Sequence, residues 1–297
     1  MDPGLFPFGR PNSERPARIA EDCRAMVIGL YPSAFHVSWT APKSAEGPGR
    51  TGAVKALAVD VEPTVFWEGN DAGGDALLKT WLKEVGFEEG DEPGQHGHVD
   101  SRLPAANGAS GRKVVQLYLD PLGYSPDEVT FTDAFRHYMV KTGTKAKREM
   151  RDAIDIEYNS IREQMGVPES KLLRRIHERA LPGQAADLFG AKLKQEFTDS
   201  KPEMVITLGE EAWRTVDMIF GYDAHSSVSM FDALYGEAYG RPGTLRSGNH
   251  VAKWLPLVHP GLLRGAAPTG PLPAGRRTVA GWNQRHFKWV EKSIAQR

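Results

Sequence analysis

The sequence predicts an α/β protein, a three-layer α/β/α arrangement around a central, mostly parallel sheet. Three observations predict it. Short apolar runs near 24–29, 57–61, 129–131, 204–208 and 254–258 have the length of buried strands. Helical periodicity fills much of the chain between them, as crossover connections require. Each run also stops at a Gly, Pro or Asp, the residues that turn a chain into a loop.

The elements follow in order. Residues 1–20 are rich in Pro, Gly and Arg and read as an irregular leader. Arg24 to Gly29 is a strand entering a loop at Tyr31-Pro32-Ser33, and Leu57 to Val61 is a second strand closed by Pro63. Leu78, Trp81, Leu82 and Val85 share one helical face, with Gly86 as its C-cap. Glu88 to Arg112, rich in Gly, Asp, Pro and Asn, reads as an exposed loop. Val114 to Leu119 is open between buried helix and strand. Val129 to Phe131 is the third strand, ending at Thr132-Asp133. Residues 145–199 are charged and helical in period, with breaks at Gly166-Val167-Pro168 and Pro182-Gly183, and read as a helical insertion. Met204 to Leu208 is a strand leading through Gly209 into a helix. Trp254 to Val258 is the fifth strand, ending at His259-Pro260-Gly261, and the last helix starts near Val279. The whole, 1–297, reads as one domain.

Composition narrows the function. Charged residues at 25% and hydrophobic ones at 40% exclude disorder over most of the length. No apolar run approaches the roughly 18 residues of a membrane span. The start, Met1-Asp2-Pro3-Gly4, lacks a basic and an apolar region, so no signal peptide is expected. Cys23 is the only cysteine. That excludes an internal disulfide or a multi-thiolate metal site, and it suits a reducing cytoplasm. No cofactor or metal is expected. His96-Gly97-His98 resembles a metal pair without a clear third ligand. From Arg241 to Arg297 ten basic residues stand against one acid, Glu291. That balance of +9 leaves −10 for the rest of a chain whose net charge is −1. A basic section of this kind is the footprint of a phosphate-contacting face, or a solvated helix without a ligand.

In parallel sheets, ligands bind beyond the carboxyl ends of the strands. Tyr31-Pro32-Ser33, Asp60, Asp133 and His259 all fall at such ends, and parallel neighbours would bring them to one crevice.

These loops resemble motifs of the uracil-DNA glycosylase superfamily. Val27-Ile28-Gly29-Leu30-Tyr31-Pro32-Ser33 is similar to its first motif, a strand followed by Gly, two variable residues and Pro. Leu257 to Arg264 is similar to its last, a strand followed by His-Pro and a Leu-bearing wedge loop. Phe131 to Phe135 resembles the base-reading strand end, and Leu57 to Val61 the segment that carries a stacking aromatic. Met204 to Gly209 and the final helix with Arg285-His286-Phe287 match in order and character. The resemblance covers most of 24–140 and 200–297. It implies that fold type and a DNA glycosylase, which flips a base out of DNA and hydrolyses its N-glycosidic bond, leaving an abasic site. The expected partner is DNA, with no membrane, and the expected state is a monomer. By the same resemblance, Gly29 and Pro32 border the base, and His259 hydrogen-bonds O2 of the departing base. Gly261 and Leu263 form the wedge loop, and Arg264 takes a phosphate. His259 as a strand-end histidine bonded to backbone, and Leu263 as mere packing, are the plain alternatives.

Three departures bear on the substrate. Tyr31 stands where the family carries its water-activating carboxylate, and a phenol is a poor base near neutrality. Asp60 is then the substitute, as general base or as stabiliser of the sugar cation, unless it merely caps. Ser33 stands where a bulky aromatic would exclude C5 substituents, so that side is open unless Phe35 or Trp39 refills it. Asp133 replaces the base-reading amide. A carboxylate accepts from the cytosine amino group and repels O4 of uracil, though an Asp there also fits a cap for a helix starting near Ala134. Together these imply a C5-modified cytosine, hydroxymethylated or glucosylated, and a role in antiphage defence. Two other readings remain: a uracil-DNA glycosylase of base-excision repair, and a non-catalytic DNA- or nucleotide-binding protein.

Overall fold

The computed structural model describes residues 14–40, 54–69, 71–85, 98–102, 107–139, 176–221, 234, 236, 238–263 and 279–296. In chain order the strands are β1 (Ala25–Gly29), β2 (Ala34–Thr40), β3 (Val54–Val61), β4 (His98–Arg102), β5 (Val129–Asp133), β6 (Met204–Leu208), β7 (Gly243–Ser247) and β8 (His250–Leu257). The longer helices are α1 (Asp71–Val85), α2 (Ala109–Val114), α3 (Leu181–Ser200), α4 (Glu210–Phe220) and α5 (Val279–Ala295). A π-helical turn, Val115–Leu119, continues α2. The chain packs as two compact units. The first comprises Met1–Arg15, Pro32–Ala109 and His137–Arg175; the second comprises Pro16–Tyr31, Ser110–Arg136 and Ile176–Arg297.

The second unit holds a five-stranded sheet in the order β5-β1-β6-β8-β7. The first four of these run parallel, and β7 pairs antiparallel with β8 across a turn at Gly248, whose φ is +57°. Helices cover both faces. Thr130 and Thr132 hydrogen-bond Ser200 and Glu196 of α3, which fixes one face. On that face Met26, Ile28, Val205 and Trp254 pack with Leu193 and Phe197 of α3 and with Trp213 and Val216 of α4. Trp213 stacks on Trp254 at 5.4 Å between ring centroids, and the Trp254 indole donates to Thr207 Oγ1. The α2–π segment and α5 hold the opposite layer, through contacts described below. The fold is thus the expected α/β class with a mixed, mostly parallel central sheet.

Local chemistry explains the helix ends. Pro182 sits in the first turn of α3, where a missing N–H costs nothing. Glu210 and Glu211 occupy the first turn of α4 and complement its positive end. Arg136, only 1% exposed, pairs with Glu196, one guanidinium nitrogen donating to both carboxylate oxygens at 2.8 and 2.6 Å, an ion pair that offsets the cost of burying the charge.

The first unit holds an antiparallel sheet in the order β3-β2-β4. Asn107 is buried and forks onto the His36 peptide, its amide donating to the carbonyl and its oxygen accepting from the N–H. The Gly108 N–H is taken by Glu62. Asn107-Gly108 is therefore a pinned turn. Leu78, Trp81 and Leu82 of α1 are buried as their spacing predicts.

Several expectations change. Residues 98–102 and 109–112 of the expected loop are strand and helix. Val114 to Leu119 is helical. Leu57 to Val61 is a strand, but it pairs antiparallel in the separate sheet rather than beside β1. Within the expected insertion, Leu181 to Ser200 supplies core side chains; 145–175 lies outside the described residues, as do Gly86, His96 and Gly97. Strands β2 and β7 were not anticipated. Among the described residues, no helix is long and apolar enough to cross a membrane, and no group of three potential ligands could hold a metal ion.

Candidate active site

Four parallel strands end along one edge of the main sheet. In order along it stand Asp133, Gly29 leading to Tyr31, Gly209, and the chain from Leu257 to His259. Asp133 and His259 thus share the carboxyl edge; their strands are three spacings, about 14 Å, apart, and His259 stands two residues beyond Leu257, which is level with Asp133. Strand alternation also sets their faces. Thr132 points to α3, so Asp133 points to the opposite face. Leu257 lies on that opposite face too, since Trp254, three residues earlier in β8, and its partner Val205 face α3. His259 follows two residues later in extended backbone. Asp133 is 3% exposed and opposes Gly29 in the β5–β1 register. No helix starts at Ala134. Instead the Ala134 and Phe135 N–H groups donate to the Gly29 and Leu30 carbonyls, so the β5 exit is tied to the β1 exit.

His259 precedes a 3-10 turn, Pro260–Leu262. Its Nδ1 accepts from the Gly261 N–H at 3.0 Å. This is the backbone bond of the plain alternative, and it has a chemical consequence. With Nδ1 as acceptor, the neutral ring carries its proton on Nε2, the tautomer that can donate to an oxygen. Two glycines make the geometry possible. A Cβ on Gly261 would meet Nδ1 at 3.0 Å, and one on Gly209 would lie 3.3 Å from the His259 Cβ. Gly209 also has φ +95°, and its N–H donates to the Leu257 carbonyl where the ladder ends.

The flanks of His259 are gripped from α2 and its π turn. Lys113 Nζ donates to the carbonyls of Leu263 at 2.6 Å and Pro260 at 3.2 Å. The Tyr118 hydroxyl donates to the Val258 carbonyl at 2.7 Å. On the other side, the Val258 N–H donates to the Tyr239 hydroxyl, which lies 2.7 Å from His286 Nδ1. His286 Nε2 is 2.9 Å from the Leu117 carbonyl. Burial pushes the His286 imidazole down to about 4, against the pull of its bond to Leu117, and pushes the Tyr239 and Tyr118 phenols upward.

The remaining predicted residues fall as follows. Leu263 is 1% exposed, so it is a packed side chain and not a projecting wedge. The expected wedge role is corrected accordingly: its backbone is clamped by Lys113. Gly261 is exposed, and Arg264 lies outside the described residues. Asp60 lies one residue from the end of antiparallel β3 in the first unit, where its carboxylate accepts from the Val61 N–H at 2.7 Å. It is not at the end of a strand of the parallel sheet, which corrects that expectation. Ser33 and Pro32 also belong to the first unit. The Ser33 carbonyl accepts from the Glu62 N–H, and Phe35, fully buried, packs 6.0 Å from Trp67. Lys113, Tyr118 and Tyr239 were not anticipated. The sequence signal for Tyr118 is a hydroxylated residue in the mostly apolar run Val114 to Leu119; Lys113 stands just before that run, beside Arg112.

No family model matches the chain, and a comparison with curated proteins finds no match.

Proposed function

We propose that the protein is a DNA glycosylase acting on a modified pyrimidine. The observation that carries the proposal is the shared edge and face of Asp133 and His259. A pyrimidine accepting at O2 and donating from its 4-amino group needs a donor and an acceptor on opposite sides. Two hydrogen bonds of about 2.9 Å, the ring and the two side chains together span the separation of those strands. In the reaction the bond from N1 to the sugar C1′ breaks, its electron pair passing to the base and out to O2. The His259 Nε2–H stabilises that charge. Water then adds to C1′ and loses a proton, leaving an abasic sugar. That proton passes through solvent to the departing base, which leaves neutral.

Asp133 favours a cytosine over uracil, because its carboxylate accepts from an amino group and repels a carbonyl. By the resemblance alone, a serine at position 33 in place of a bulky aromatic extends the proposed substrate to hydroxymethylated or glucosylated cytosine, in a reducing cytoplasm and in antiphage defence. The test offers purified protein duplexes containing uracil, cytosine, 5-hydroxymethylcytosine or its glucosylated form, followed by alkali. Strand breaks in the modified-cytosine duplexes, absent with His259→Ala, are expected. Preferential release of uracil refutes the substrate, and Asp133→Asn with unchanged preference removes Asp133 from base reading. Tyr31, in place of a carboxylate, favours one second reading: a protein that binds DNA without cleaving, for which no duplex yields breaks.

A further inference from the structure

Where the ladder of β8 ends at Leu257, two tyrosine hydroxyls hold the next peptide. We propose that Tyr118, Tyr239 and His286 form a positioning relay that fixes the Val258 peptide, and through it the backbone from which His259 meets the departing base. This rests on the reading of His259 given above.

The hydrogen bonds admit one direction only. The Leu117 carbonyl can only accept, so His286 carries its proton on Nε2. Its Nδ1 is then an acceptor and takes the Tyr239 hydroxyl proton. The Tyr239 oxygen is left to accept from the Val258 N–H. On the other edge of the same residue, Tyr118 donates to the Val258 carbonyl. Both polar groups of Val258 are thus held, each by a side chain from a different segment. Tyr118 and His286 are fully buried, with ring centroids 4.5 Å apart. Burying Tyr118 and His286, and the half-buried Tyr239 beside them, is costly unless each polar group is satisfied, and apolar residues would fill the same volume more cheaply. What the polar set adds is orientation.

The π turn contributes to that orientation. In an α-helix, residues five apart are separated by roughly 140° around the axis at 3.6 per turn. The wider π turn, with its backbone bonds between residues five apart, draws such positions toward one face. Lys113 and Tyr118 are five apart, and they grip Pro260 and Val258, on either side of His259. The Leu117 carbonyl lies in the last turns of the same helix, where intrahelical donors run out, and His286 satisfies it.

The test uses single-turnover base release from a 5-hydroxymethylcytosine duplex, DNA affinity by anisotropy, and 15N spectra of the histidine rings. Tyr239→Phe and His286→Leu are expected to slow release tenfold or more, with affinity changed less than twofold. The His259 ring resonances should shift or broaden. His286→Gln, whose amide can donate to Leu117 and accept from Tyr239, should restore most of the rate. Full-speed release with unmoved His259 resonances in Tyr239→Phe and His286→Leu overturns the relay, as does a loss confined to DNA affinity. If the wild-type protein releases no base, the glycosylase reading fails. The spectra still decide the relay: moved His259 resonances support it and unmoved ones reject it.

Discussion

Gly209→Ala probes a backbone and steric constraint on His259. Gly209 has φ +95° and ψ 170°, a region open essentially to glycine alone. Forcing alanine there costs about 1–3 kcal/mol of backbone strain. The new methyl would also sit 3.3 Å from the His259 Cβ, so that side chain must yield by a few tenths of an ångström. Unfolding entropy of about 2.1 cal/mol/K per residue over 297 residues converts the strain into a fall in Tm of about 2–5 °C. Since a 1 Å misplacement can cost about a hundredfold in rate, a shift this small should slow base release about threefold to tenfold. Differential scanning fluorimetry and single-turnover release measure the two effects. Gly248→Ala is the control: it too has positive φ, in the β7–β8 turn, but nothing lies within 4 Å of an added Cβ. It should lose stability and keep its rate. If Gly209→Ala melts like the wild type, or if both variants slow release equally, the steric argument is wrong.

Leu263→Ala should cost about 2–5 kcal/mol, the usual range for a buried leucine; an unchanged melting point with abolished base release would restore the wedge. For pH, the His286 imidazole is held down to about 4 in the folded protein and lies near 6.5 when unfolded. Above that unfolded value the group leaves stability untouched. As pH falls from about 6.5 to 4 the unfolded chain takes the proton first, so about 3 kcal/mol of stability disappears across that window. His286→Gln should flatten this part of a urea-denaturation series, and an unaltered pH profile would show that His286 is not the titrating group. Lys288 and Lys292 are exposed on α5, opposite buried His286 and Trp289. Replacing both with glutamine should reduce the salt slope of DNA binding by about 0.9 for each phosphate no longer neutralised. An identical slope would place the DNA elsewhere.

The main sheet was legible because its strands are uninterrupted apolar runs, such as Met26-Val27-Ile28 and Val205-Ile206, which only burial on both faces explains. The smaller sheet was not. In β2 the apolar residues Phe35, Val37 and Trp39 alternate with His36 and Ser38, a period-two signal weaker than the uninterrupted apolar runs of the main sheet. Gly248-Asn249 marked the β7 hairpin in the same way. Asp60 was misplaced because a strand's partner and direction depend on segments distant in sequence. For the site, strand ends located Asp133 and His259. The clamp beside His259 was invisible because Tyr118, Tyr239 and His286 act through a peptide carbonyl and N–H, which every residue carries. The Leu263 side chain was read by analogy, and burial decided otherwise.

The strand order has a consequence for biogenesis. β1, wholly buried, emerges from the ribosome early, yet its neighbours β5 and β6 begin roughly 100 and 175 residues later. At about 5–20 residues per second, this apolar segment waits on the order of 5–35 s for its two flanking partners. A nascent chain arranged this way invites chaperone capture during translation, and its yield in a foreign host should respond to elongation speed and growth temperature.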